Sequence, residues 1–251
     1  MYKRAFVFIV VVLLTTMFFP AACAGIARGS IADHIVISEV QIKGDSDTTH
    51  DFVEIYNPTE YDIYLKDYEG SYIRLVKRTA SGDSDTTLKS WSQDDTAIVP
   101  AHGYYLWASS SDKEFPDSIG ADAKTGGTIA PNNAVALRKG DTDIGEIIDA
   151  VGWGTATNAL VEGSAYPENP EDSKSIQRRV NDTIKEDGTH GPAWDSDENR
   201  LDFFIHSSDP NNIGSKQIPP LPEFSTVIML FSGLLSLLAY ARRTNQKNKN
   251  N

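Results

Sequence analysis

The chain has 251 residues, a formal net charge of −12 and one cysteine. An acidic surface repels nucleic acid phosphates, which excludes DNA and RNA as partners, and Cys23 alone rules out an internal disulfide framework. The basic residues gather at the two ends, so the stretch between them is more acidic than the whole.

The first elements in chain order are an address. Lys3 and Arg4 form a positive start, positions 5–19 are apolar apart from Thr15 and Thr16, and Pro20 ends the run. Ala22-Cys23-Ala24 then offers the small residues that an export peptidase reads. The expectation is a signal peptide over 1–24, cleaved after Ala24. Pro20 stands where a lipobox carries a leucine-like residue, which disfavours lipidation of Cys23.

The body, 33–214, shows no long 3.6-residue apolar period. It carries short β-rich runs separated by Gly, Asp, Asn, Ser and Pro. Strands are expected over 34–42, 52–56, 62–65, 72–77, 104–108, 134–138, 144–151, 175–178 and 201–205. Asn57-Pro58 closes the second run, since proline cannot donate to a strand ladder. The polar segments 79–95 and 109–128 are expected to be surface loops. Strands at this density point to an all-β sandwich.

Chemistry is harder to find. The pairs Asp45/Asp47, Asp83/Asp85, Asp94/Asp95, Asp141/Asp143 and Asp195/Asp197 could each share a calcium ion. The best loop, Asp195 to Asn199, has Arg200 where an EF-hand needs glycine and His206 where it needs a bidentate glutamate. Solvated acidic turns are the expectation, with no assigned metal or cofactor. None of His34, His50, His102, His190 and His206 stands at a metal-ligand spacing within a motif. His102, in a turn before a strand, suits a surface or capping role. Asp51 and Glu54 are three apart in a strand and point to opposite faces, a poor acid–base pair. Ser109-Ser110-Ser111 lacks a nucleophile elbow, and no phosphate loop or dinucleotide fingerprint occurs. No catalytic residue is therefore assigned. Asn181-Asp182-Thr183 is an N-glycosylation sequon on a loop, making Asn181 a candidate acceptor in an exported chain.

The far end is a second address. A linker over 215–224 holds Pro222-Glu223-Phe224. An apolar stretch over 225–241 is at the short limit for a bilayer-spanning helix. The basic tail 242–251 then belongs in the cytoplasm by the positive-inside tendency, with the body outside. Motif, apolar helix and basic residues in this order resemble the archaeal PEF-type C-terminal sorting signal. That resemblance implies processing by a membrane peptidase; a plain tail anchor is the alternative, and either displays the body at the outer face of the plasma membrane.

The body also carries an ordered set of short motifs. Ile37-Ser38-Glu39-Val40 precedes Asp51-Phe52-Val53-Glu54-Ile55-Tyr56-Asn57-Pro58-Thr59 and Ile63-Tyr64-Leu65. Ile98-Val99-Pro100-Ala101-His102-Gly103-Tyr104-Tyr105-Leu106 and Gly127-Thr128-Ile129-Ala130-Pro131 follow. Asn132-Asn133-Ala134-Val135-Ala136-Leu137, Asp149-Ala150-Val151-Gly152-Trp153-Gly154 and Ser175-Ile176-Gln177-Arg178 complete the series, with Asp197, Asn199, Asp202-Phe203 and Pro210-Asn211 behind them. Together they resemble a lamin-tail domain of the bacterial and archaeal secreted form, over about 35–212. Tyr68-Glu69-Gly70 departs from the Gly-Trp-Leu-like strand entry usual there.

The resemblance implies an immunoglobulin-like β-sandwich with Phe52, Ile55, Leu65, Leu106, Val135, Leu137, Val151 and Trp153 in its core and Gly103 and Gly152 at tight backbone positions. The expected function is a non-enzymatic surface module that binds a protein or glycan or contributes to envelope structure. The alternatives are a calcium-stabilised adhesion or matrix domain, or an accessory domain of a secreted hydrolase or nuclease system. Expected partners are the membrane, export and sorting peptidases, and a surface protein or glycan.

Overall fold

The computed structural model describes residues 29–45, 47–94, 96–181, 191–211 and 215. Ala24, the motif Pro222-Glu223-Phe224, the stretch 225–241 and the tail 242–251 lie outside the described residues. Among the described residues, no helix is long and apolar enough to cross a membrane.

Two sheets dominate. The larger is built from β2 (Val36–Gln41), β3 (Phe52–Tyr56), β8 (Tyr104–Ser109), β9 (Ala123–Thr125), β12 (Lys174–Arg178) and β14 (Phe203–Ser207), in the order β14-β12-β2-β3-β8-β9. The smaller joins β5 (Ile73–Arg78), β6 (Thr86–Ser90), β10 (Ala134–Lys139) and β11 (Ile147–Gly152), in the order β11-β10-β5-β6. Pairing within both sheets is antiparallel except for β9, which runs parallel to β8. Short pairs close the ends: β1 (Ser30–Ile31) with β13 (Trp194–Asp195), and β4 (Ile63–Tyr64) with β7 (Ile98–Val99). Two single-turn helices, α1 (Phe115–Ser118) and α2 (Asn199–Asp202), lie between strands.

The period-2 pattern of β3 and β8 explains the layering. Val53, Ile55, Tyr105 and Trp107 point inward and meet Leu75, Val135, Leu137 and Val151 of the other sheet in the main core. Phe52, Tyr56, Tyr104, Leu106 and Ala108 point the other way. A bulge between Ile37 and Glu39 keeps both Ile37 and Val40 in the main core. It leaves Glu39 directly across from Glu54 on the outer face.

The core differs from the expectation in two respects. Phe52 and Leu106 are buried, but in an outer cluster under Phe115 of α1. Segment 79–95 is not a surface loop: it contains β6 and the fully buried Trp91. Only Leu88 of β6 is buried, so this edge strand has a polar composition. Segment 109–128 likewise holds α1 and β9, which bury Phe115, Pro116 and Ala123. The three core indoles each find an acceptor: Trp91 Nε1 donates to the Tyr105 hydroxyl at 3.2 Å, Trp107 Nε1 to Thr125 Oγ1 at 3.0 Å, and Trp153 Nε1 to the Ala130 carbonyl at 3.2 Å.

The Tyr68-Glu69-Gly70 departure forms a tight turn. Glu69 and Gly70 both have positive φ, 50° and 81°, and Tyr68 pairs with Ser71 across them. Gly152 also sits tightly, since a Cβ there would lie 2.5 Å from Val161 Cγ2.

Candidate functional site

Four groups of ionisable side chains stand out, and most are closed by their own partners. The deepest joins the sheets at β11, β2 and β12. The Arg178 side chain is fully buried; Nη2 donates to Asp149 Oδ1 at 2.6 Å and Nε to the Ile37 carbonyl at 2.9 Å. The other Asp149 oxygen accepts the Ile37 amide at 2.6 Å, and the guanidinium lies 4.6 Å from the Phe203 ring centroid. Burial lifts Asp149 to about 6, with the nearby Asp195 carboxylate adding to the rise and Arg178 opposing it. His34 Nε2 lies 3.7 Å from Asp195 Oδ2 at the rim. Asp149, Asp195 and His34 form a metal-sized cluster, but Arg178 already supplies its cation.

The free edge of β11 is covered by side chains rather than by another strand. Asn199 accepts from the Gly152 amide and donates to the Ala150 carbonyl, both at 2.9 Å, imitating a ladder neighbour. Glu162 accepts the Ala150 amide at 2.9 Å, and burial with the Asp149 and Asp195 carboxylates pushes it up to about 9.

A second group sits where β5 turns into β6. The Asp85 side chain is fully buried between Arg78 Nε and Arg138 Nε, each 2.7 Å away. Asp143 accepts the Asp85 amide at 2.6 Å while Asp85 accepts the Asp143 amide at 2.8 Å. Burial alone would raise Asp85; the Asp143 amide and the two arginines hold it below its ordinary value. The expected solvated turns at Asp83/Asp85 and Asp141/Asp143 therefore contain a closed ion-pair network. Its arginines lie on β5 and β10, so spacing within the acidic loops could not reveal it. Asp195 is likewise drawn in by Arg178.

The third group is the cross-strand pair Glu39 and Glu54 on the outer face. Glu54 Oε1 accepts Ser38 Oγ at 2.5 Å, and Oε2 accepts the Asn211 amide at 2.7 Å and its Nδ2 at 3.1 Å. Glu39 Oε1 accepts the Asp209 amide at 3.3 Å, while Oε2 is buried without a partner among the described residues. Ser208 Oγ donates to Gln41 Oε1 beside them. Burial raises both carboxyls, Glu54 to about 7, and Glu54 raises Glu39 further. Asp51 lies on the other face, accepting the Ile129 amide at 2.9 Å, and burial lifts it to about 7. The pair Asp51 and Glu54 is separated, as their spacing required.

The fourth group is Asp47, His50 and Asp112, brought together from the β2–β3 loop and the loop after β8. His50 Nε2 lies 2.8 Å from Asp112 Oδ2 and 3.6 Å from Asp47 Oδ2. His50 and Asp112 are 62 positions apart, so no local motif could signal their meeting.

His102 occupies a left-handed turn, φ 52°, with its side chain largely buried and Nε2 3.2 Å from the exposed Glu60 carboxylate. Asn181 is half-buried just after β12; Asp182 and Thr183 of its sequon lie outside the described residues. One groove of about 610 Å³ is lined by Gly154, Thr155, Thr157, Asn158, Ser164 and Pro167 among others.

Two face-packed sheets of this order, with short strands and a Trp-rich core, define an immunoglobulin-like β-sandwich. The Lamin Tail Domain family model matches residues 30–155, and the chain belongs to that family. Strands β12 and β14, beyond the matched range, complete the larger sheet. A crystal structure of a DUF4876-family protein from Bacteroides thetaiotaomicron is similar at 10% identity, covering 74% of each chain with a TM-score of 0.42. No curated protein matches the chain.

Proposed function

We propose that this chain is a non-catalytic lamin-tail module displayed at the outer face of a plasma membrane, where its loops bind a surface protein or glycan. The observation that carries the reading is a filled sandwich in which the buried carboxylates of Asp149, Glu162 and Asp85 hold strands, an edge and a turn together. Family membership points the same way. The groove beside Gly154 mixes hydroxyl-bearing Thr155, Thr157 and Ser164 with apolar Ala156, Val161 and Pro167.

The proposed address rests on the two ends of the sequence: export with cleavage after Ala24, and retention or sorting through Pro222-Glu223-Phe224 and 225–241. Export and sorting peptidases are its processing partners in this reading, and the sorting signal is of the archaeal PEF type. Labelling intact cells with a membrane-impermeant amine reagent, followed by intact-mass analysis, tests it. Display predicts modified body lysines before lysis and a chain starting near Gly25. Labelling only after lysis would overturn the reading. A C-terminus running through Asn251 would replace sorting with a retained tail anchor.

A further inference from the structure

We propose that Asp47, His50 and Asp112 form a site for a divalent transition-metal ion of the zinc type. The three side chains each offer one ligand atom, and all three atoms lie within 4.8 Å of one another. Ligand atoms of a tetrahedral site with bonds of about 2.1 Å lie about 3.4 Å apart. The distances from His50 Nε2 to the two carboxylate oxygens, 2.8 and 3.6 Å, bracket that spacing. Opening the His50–Asp112 contact by about half an ångström brings it to that spacing.

Each ligand is oriented by its surroundings. Asp47 uses Oδ1 to accept the Thr49 amide at 2.7 Å and the Thr49 hydroxyl at 2.6 Å, and turns Oδ2 toward the imidazole. Asp112 uses Oδ1 to accept the Glu114 amide at 2.9 Å and also turns Oδ2 toward it. The imidazole stacks on Phe115, with centroids 4.3 Å apart and planes 5° from parallel. Its other edge packs on Gly44, where an added Cβ would lie 2.5 Å from Nδ1. The ring is therefore held with Nε2 facing both carboxylates, the orientation that outer partners confer on metal ligands.

Charge and chemistry select the ion. Among the described residues neither carboxylate pairs with a lysine or arginine, in contrast to Asp149 and Asp85. Even a protonated imidazole leaves two carboxylates facing one positive charge. One nitrogen and two carboxylate oxygens suit zinc, cobalt or manganese, whereas calcium takes six to eight oxygens. All three side chains are partly exposed, so water completes the coordination. The site does not depend on where the protein is displayed.

The test is titration of the full chain with Zn²⁺ by calorimetry, and with Co²⁺ by visible absorption, at neutral pH. One saturating equivalent is expected, with Co²⁺ d–d bands of mixed nitrogen and oxygen ligation. Asp112→Asn and His50→Gln should each weaken binding by about tenfold or more with unchanged circular dichroism. His206→Gln, a surface histidine elsewhere, should leave binding intact. Binding unaffected by Asp112→Asn, or no saturable binding, would overturn the site. Displacement of Zn²⁺ by equimolar Ca²⁺ would overturn the transition-metal assignment.

Discussion

Arg178 and Asp149 show what a buried charge does here. Each is fully buried, and together they bind the Ile37 backbone on both its amide and its carbonyl. Removing one partner strands the other in a medium that cannot solvate it. Asp149→Ala should lower stability by about 3–5 kcal/mol, measured by denaturant unfolding. A loss below about 1 kcal/mol would show that water reaches the pair. Trp91 makes a different point. It fills the core from a segment that reads as polar loop, with its ring edge-on to Tyr105 at 5.6 Å. Trp91→Ala should cost about 3–5 kcal/mol. Its burial was hidden because a lone tryptophan beside Ser, Lys and Asp carries no period. The role of Arg178 was equally hidden, since its partner lies on another strand.

Elements with a clear alternation were readable. Phe52–Tyr56 appears where its alternation put it, and the apolar run expected as a strand over 104–108 is Tyr104–Ser109. Edge strands were not: β6 buries only Leu88 and β9 only Ala123, and the rest of each tolerates polar residues. The sense of the alternation was also ambiguous, because the larger sheet is covered on both faces. That is why Phe52 and Leu106 belong to a second cluster. The outer face also carries the Glu39–Glu54 pair beneath residues 208–211. The unfolded chain releases these protons near the ordinary value of 4.5, whereas folded Glu54 keeps its proton to about 7. Across that window the folded state binds more protons, so the pair's contribution is full below 4.5 and falls as pH rises. Glu39→Gln should therefore raise stability at pH about 8 and flatten its pH dependence, read by thermal melts. An unchanged slope would place the titration elsewhere.

At the scale of the whole molecule, several buried carboxyls push the same way. Asp51 and Glu54 rise to about 7 and Glu162 to about 9, while Asp85 and Asp94 are held below their ordinary value of 3.8. The first set loses stability as pH rises from near 4 toward 9; the second loses it only as pH falls below about 4. The melting temperature should peak near pH 5 and decline toward pH 8.5, and self-repulsion in a chain of net charge −12 at pH 7 acts in the same direction. A melting temperature that rises steadily from pH 5 to 8.5 would contradict this. The lamin-tail sandwich itself was readable, because its motifs are spread in order along the chain. The Asp47–His50–Asp112 cluster was not, because only the folded loops bring it together. The proposed role is tested most directly by crosslinking on intact cells with a membrane-impermeant reagent, identifying partners by mass spectrometry. The account predicts one recurrent surface protein or glycoconjugate joined to the body's loops. Self-crosslinks alone, or no crosslink before lysis, would contradict it.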